Sequence, residues 1–177
     1  TLPSRYYTDE AIYRDEMAMI HRRSWCYVGH VADVAEPGMY FTDTVGEQPV
    51  LVIRGHDNEI RAFFNVCQHR GHELLTGRGQ LRSKGISCPY HAWLYKLDGG
   101  LAAAPMTDQV KDFDKSQYSL KPIRLAVSAG LIFINLDADA APFERGRHVG
   151  LTPQYQELYV RGCFRRVPVC GARPPPV

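Results

Sequence analysis

The sequence predicts a mainly β fold: short antiparallel strands forming a sandwich or open barrel, led by one α-helix. Three observations predict it. From Trp25 onward apolar residues recur at period two. Polar, glycine-bearing turns separate the apolar runs, at Gly55-His56-Asp57-Asn58, Asp98-Gly99-Gly100 and Ser128-Ala129-Gly130. Helical spacing of apolar residues marks the stretch before Ser24.

Residues 2–7 read as an extended arm. Thr8 is a candidate cap, with Asp9 and Glu10 in a first turn where the helix dipole favours acids. Tyr13, Met17 and Ile20, flanked by Ile12 and Met19, then predict a helix over 9–23 whose apolar stripe packs into the core. His21-Arg22-Arg23 place cations at its end, where they suit the C-terminus. Strands are expected over 25–30, 38–44 and 48–54, and over 59–66 as the return arm of a hairpin. Residues 74–85 read as a loop, and 86–87 and 92–97 flank a second loop. Asp98-Gly99-Gly100 signals a further hairpin. The last strands are expected over 118–125 and 126–136, with Leu131–Leu136 apolar enough to be central.

The chain has 177 residues, 45% apolar and 23% charged, enough for one ordinary domain. A net charge of +2 does not suggest nucleic-acid binding. No apolar run approaches the ~20 residues of a transmembrane helix, and the N-terminus has no signal pattern. No membrane association and a cytoplasmic location are therefore expected. Of the five cysteines, Cys26, Cys163 and Cys170 lie outside the Cys-x-His and Cys-x-x-His pairs, show no disulfide-scaffold spacing and are expected to be reduced thiols.

The hairpin ending at Val66 delivers the most informative stretch, Cys67-Gln68-His69-Arg70-Gly71-His72. Separated from His69 by eighteen residues comes Cys88-Pro89-Tyr90-His91-Ala92-Trp93. Each segment offers one thiolate and one imidazole. Residues two apart on a strand point to opposite faces, so closing Cys67 and His69 onto one ion needs a sharp turn. Two bridged irons ease this, with each loop giving its cysteine to one iron and its histidine to the other: a 2Fe–2S cluster with two imidazoles in place of two thiolates. The competing reading is a structural Cys2His2 zinc site. Zinc sites usually pair like with like, whereas both pairs here are mixed. Cys67, His69, Cys88 and His91 are the expected ligands. Gly71 is expected to relieve a strained backbone position beside them.

The stretches Asn65-Val66-Cys67-Gln68-His69-Arg70-Gly71 and Cys88-Pro89-Tyr90-His91-Ala92-Trp93 resemble the Rieske domain of Rieske non-heme iron oxygenase alpha subunits, the ring-hydroxylating dioxygenases and their monooxygenase relatives. The resemblance extends over about residues 2–160. It implies a β core with an inserted cluster-binding subdomain. The expected organisation is an arm, helix and first strands over 1–45, a cluster domain over 46–137 with its subdomain at 65–100, a linker over 138–160 with a short helix at 153–160, and an atypical disordered tail over 161–177. The resemblance also implies an electron donor (a ferredoxin or flavin reductase), a homotrimeric parent, and a mononuclear Fe(II) in a second domain.

That second iron needs two histidines and a carboxylate. The histidines are 21, 30, 56, 69, 72, 91 and 148, and outside the cluster pairs none can assemble such a set locally, so no catalytic residue is assigned. The tail contains four Arg, four Pro, two Cys and no acid, while residues 1–160 carry 17 basic and 19 acidic side chains. The shift suggests a truncation or reading-frame change near residue 161, leaving the electron-transfer half of an oxygenase. The alternative is a stand-alone Rieske ferredoxin-type carrier, against which the helix and Leu-Pro-x-x-Tyr-Tyr entry speak. Quinol-oxidising Rieske proteins carry an extra cysteine in each ligand loop, and His72 and Pro89-Tyr90 stand there instead.

Around the ligands, Arg70, Gly71, His72, Tyr90 and Trp93 are candidates for supporting contacts. Tyr90 and Trp93 either pack over the cluster or belong to an ordinary core, and His72 either supports the site or is merely exposed. Arg70, Arg78, Arg82 and Lys84 form either a solvated loop or a docking surface for an acidic donor. The stretch His69–Leu75 is similar to oxygenases of quaternary ammonium compounds, with aromatic-acid hydroxylases equally open. Cys67 and Cys88 are expected on the inner iron, and His69 and His91 on the outer one. Each imidazole then keeps one titratable ring nitrogen whose pKa the metal charge lowers, more so when oxidised. The reduction potential is therefore expected to fall at alkaline pH. A redox titration that stays flat to about pH 10 would count against two histidine ligands.

Overall fold

The computed structural model describes residues 2–82, 85–107 and 109–143. The expected helix at 153–160 and the tail from 161 lie outside the described residues, as does Lys84.

The N-terminal segment differs from the single helix expected. It forms α1 (Arg5–Thr8), α2 (Glu10–Glu16) and one wide π-type turn (Met17–His21). Arg5–Thr8 thus replaces part of the extended arm. Asp9, rather than Thr8, is the cap: its backbone is extended and its carboxylate accepts from the Ala11 N–H, which ends α1 and starts α2. The apolar stripe does not enter the core. Tyr13, Met19 and Ile20 are exposed, and neither α2 nor the π-type turn buries any residue. The segment is held by polar contacts instead. Tyr13 Oη donates to Glu47, and Arg22 reaches Glu47 and the Gly46 carbonyl.

The β fold is the one expected, a curled antiparallel sheet like half a barrel. Seven strands run in the order β1-β10-β9-β4-β3-β2-β5. They are β1 (Cys26–His30), β2 (Met39–Val45), β3 (Gln48–Arg54), β4 (Ile60–Phe64), β5 (Arg78–Gln80), β9 (Pro122–Ser128) and β10 (Leu131–Asn135). A second sheet of three short strands, β6 (Ile86–Ser87), β7 (Leu94–Tyr95) and β8 (Leu101–Ala103), carries the second loop. Among the described residues no helix is long and apolar enough to cross a membrane.

β3 lies inside the sheet between β4 and β2, and its run Val50–Ile53 is buried throughout. Alternation splits that run between two cores. Val50 and Val52 join Phe41, Ala62, Ile132 and Ile134 on one side. Leu51 and Ile53 join Phe63, Trp93, Tyr95 and Leu97 on the other, the core that also contains Cys67 and Cys88. Cys67 and Cys88 are therefore anchored to the sheet by packing as well as by the chain.

Three expected boundaries shift. The loop over 74–85 contains β5, which hydrogen-bonds along the edge of β2. Strand 92–97 shrinks to β7, with Ala92 left-handed before it and Lys96 already bonded into the turn at Gly99 and Gly100 after it. Residues Lys115–Tyr118 form a 3-10 turn capped by Asp114, and β9 runs unbroken through Ala126. The turn before β10 stands where expected, with Ala129 and Gly130 both left-handed, a conformation that matches the twist of a hairpin.

Gly99, at the tip of the β7–β8 hairpin, has φ of 90°, and a Cβ there would sit 2.5 Å from Phe63 Cε1. Gly77 has φ of 68° with open space around it. Gly99→Ala is therefore expected to cost about 1–3 kcal/mol more than Gly77→Ala, the difference being overpacking rather than backbone strain. Urea unfolding of the two variants measures it, and equal losses would refute the packing account.

Candidate metal centre

The two ligand loops share one hydrogen-bond frame. The Cys67 N–H donates to the His72 carbonyl at 2.8 Å, and the Cys67 carbonyl accepts from Gly71 N–H at 3.0 Å. In the second loop Cys88 N–H donates to the Trp93 carbonyl at 2.8 Å, and its carbonyl accepts from Ala92 N–H at 3.0 Å. Each loop thus turns back five residues after its cysteine. Each has a left-handed residue four positions on, Gly71 at φ 69° and Ala92 at φ 55°. A Cβ on Gly71 would meet nothing, so it is the backbone angle that calls for glycine there.

The frame puts the sulfurs inside and the imidazoles outside. Cys67 and Cys88 are each 2% exposed and lie in the same core cluster. His69 is exposed and His91 half-buried, with ring centroids 4.6 Å apart. Burial pushes the Cys67 thiol above its usual pKa, and the facing Cys88 adds to this, while Tyr95 opposes it. A metal reverses that balance, because a coordinating thiol gives up its proton. Burial, then His91 and Arg70, lower the pKa of His69, which favours the neutral imidazole that can bind a metal.

Among the described residues no three His, Cys, Asp or Glu side chains group as a site for one ion. The four candidates fall instead into a thiol pair and an imidazole pair. Two bridged irons need that division, and a single tetrahedral zinc does not. The donor set therefore fits a 2Fe–2S cluster.

The surrounding residues take distinct places. Trp93 is buried and stacks on His69, with centroids 4.9 Å apart and planes 7° from parallel, so it both fills the core and covers one side of an imidazole. Tyr90 is 57% exposed and lies 3.8 Å, centroid to centroid, from His91, with the His72 ring at 5.6 Å. His72 contributes its backbone carbonyl to the loop, while its side chain is exposed. Arg70 and Arg82 are exposed, but Arg78 is not a free cation: it pairs with Asp33 and lies over the Phe41 ring. The expected basic loop thus loses one of its charges to a residue 45 positions earlier.

Tyr95 was not among the sequence candidates. It is fully buried, and its oxygen accepts from the Gln68 N–H at 3.0 Å and lies 3.2 Å from Cys67 Sγ. Because that oxygen already accepts from Gln68, its O–H is free to donate to the sulfur. Burial and the Cys67 contact raise the pKa of the phenol, which keeps it a donor. Its position two residues after Trp93, buried in the same core, is the signal that could have found it, since a buried tyrosine needs a partner for its hydroxyl.

The Rieske [2Fe-2S] domain family matches residues 24–114. The chain is similar to the carnitine monooxygenase oxygenase subunit of Acinetobacter pittii, 44% identical over 163 residues, which is 92% of this chain and 42% of that protein. It is also similar to the biphenyl 2,3-dioxygenase alpha subunit of Rhodococcus jostii, 39% identical over 140 residues, 78% of this chain and 30% of that protein. A solved quaternary ammonium Rieske monooxygenase in complex with L-carnitine superposes with a TM-score of 0.82 at 40% identity, over 92% of this chain and 44% of that one. The chain spans less than half the length of these relatives.

A hydrogen bond to a cluster sulfur favours the reduced, more negative state. Tyr95→Phe keeps the ring and removes that donor. With the cluster bound, it is expected to lower the midpoint potential by on the order of 50 mV, the equivalent of about one net hydrogen bond for a one-electron couple. Protein-film voltammetry reads the shift, and an unchanged potential would remove the hydroxyl from any tuning role.

Proposed function

The chain belongs to the Rieske [2Fe–2S] domain family, on the branch of the oxygenase alpha subunits, and from that premise we propose that it is the electron-transfer domain of such an oxygenase. In this reading Cys67 and Cys88 hold one iron as thiolates, and His69 and His91 hold the other, each through one ring nitrogen. The cluster, when bound, stores and passes single electrons. The protein's part is to bury the thiols, shield His69 with Trp93, and present the imidazole side to partners. The donor is a ferredoxin or flavin reductase. The acceptor is a mononuclear non-heme iron that activates oxygen, and the parent assembly is a homotrimer in the cytoplasm. The substrate class is quaternary ammonium compounds, supported by the similarity to the carnitine monooxygenase subunit.

The observation that carries this reading is the buried thiol pair beside an imidazole pair with one ring exposed and the other half-buried, delivered by two loops of the same frame. The test is anaerobic reconstitution of the chain with ferrous iron and sulfide. About two irons and two sulfides per chain are expected, with electron-nuclear double resonance of the reduced cluster showing two nitrogen ligands. His69→Ala and His91→Ala should each abolish that signal. A zinc-loaded protein, or a cluster without nitrogen ligands, would defeat the assignment.

A further inference from the structure

The two ligand loops differ at their base. In the second, the rungs on either side of the loop are ordinary ladder pairs, Ser87 with Leu94 and Ile86 with Tyr95. Counting from the cysteines, the matching rungs of the first loop would be Val66 with Glu73 and Asn65 with Leu74. The first exists as an isolated bridge. The second cannot form as the ladder requires, because the Asn65 N–H already donates to the Pro49 carbonyl at 2.9 Å, continuing the large sheet. Asn65 is where the chain leaves that sheet for the ligand loop.

Its side chain replaces the missing rung. Asn65 is fully buried. Its Nδ2 donates to the Leu75 carbonyl at 2.7 Å, and its Oδ1 accepts from the Leu75 N–H at 3.2 Å. A carboxamide presents one donor and one acceptor side by side, as a peptide does, so it can pair with a backbone at both points. The second Nδ2 hydrogen goes to Glu73 Oε1 at 3.0 Å, which fixes the orientation of the amide. We propose that Asn65 is the positioning residue of the first ligand loop: its carboxamide serves as a side-chain rung that holds Cys67 and His69 in place for the cluster. This rests on the ligand assignment above.

Asn65→Asp is the isosteric test in the full 177-residue chain. It keeps an acceptor for the Leu75 N–H, removes the donor for Leu75 and Glu73, and sets a carboxylate against both oxygens. Asn135→Asp is the matched control. Asn135 is also buried and bonds backbone at Arg23 and Asp137, away from the ligand loops. The reconstituted N65D variant is expected to lose iron to a chelator about tenfold faster than wild type, with a shifted midpoint potential and altered electron paramagnetic resonance of the reduced cluster. The N135D variant should lower thermal stability and leave potential and spectrum unchanged. Adding Glu73→Gln to N65D restores a donor facing the new carboxylate and should recover part of the retention, whereas Glu73→Gln alone should be neutral. N65D matching wild type in retention, potential and spectrum would overturn the inference. So would failure of both N65D and N65D/E73Q to fold, since Asn65 would then serve the core rather than the loop. If the wild-type chain itself assembled no nitrogen-ligated cluster, the ligand assignment would fall, and this inference with it.

Discussion

Two thiols must be buried while two imidazoles a few residues away stay at the surface, and the rest of the structure answers that constraint. Burying a cysteine loop also buries its backbone, and buried N–H and C=O groups must find partners. Each loop supplies its own. The cysteine's N–H and carbonyl are both satisfied within the loop, which turns back through a left-handed residue four positions on. The sulfur can then sit in an apolar core while the histidine on the same turn points outward.

The two cores give the loops something rigid to stand on. β3 is buried on both faces, so one strand braces the large sheet and the ligand subdomain together. Leu51 and Ile53 share a cluster with Cys67 and Cys88, and β4, its neighbour, runs almost directly into the first loop. The second loop reaches the same core through Trp93 and Tyr95. Tyr95 also crosses between the loops, bonding Gln68 and Cys67. The site is therefore held by packing from beneath and tied across by one hydroxyl.

What the sequence made legible followed from how local each signal is. The ligand spacing, the turns at Gly55–Asn58 and Ser128–Gly130, and the apolar run of β3 are each written in a few consecutive residues. The broken helix was not legible, because Asp9 reads equally well as a first-turn acid or as a cap, and only its extended backbone decides. The exposed stripe of Tyr13, Met19 and Ile20 was misread because helical period says that a face is apolar but not that anything covers it. β5 and the Arg78–Asp33 pair depend on partners some forty residues away, and no local pattern encodes such pairing. Tyr95 and the carboxamide of Asn65 belong to the same class: ordinary residues given their roles by long-range placement.

The two loops show how a near-symmetric site can rest on an asymmetric scaffold. Their inner hydrogen bonds match residue for residue, yet one histidine stands two positions after its cysteine and the other three. That offset lets the rings meet edge to face instead of being forced into equivalent positions. It also lets their neighbours differ: Trp93 covers His69 from the core, while Tyr90 lies against His91 at the surface. The same backbone frame therefore gives one imidazole a buried wall and the other an exposed one. The proposed electron-transfer role would use both, since a wall that excludes water would limit reorganisation around a bound cluster, and an open side would let a partner approach.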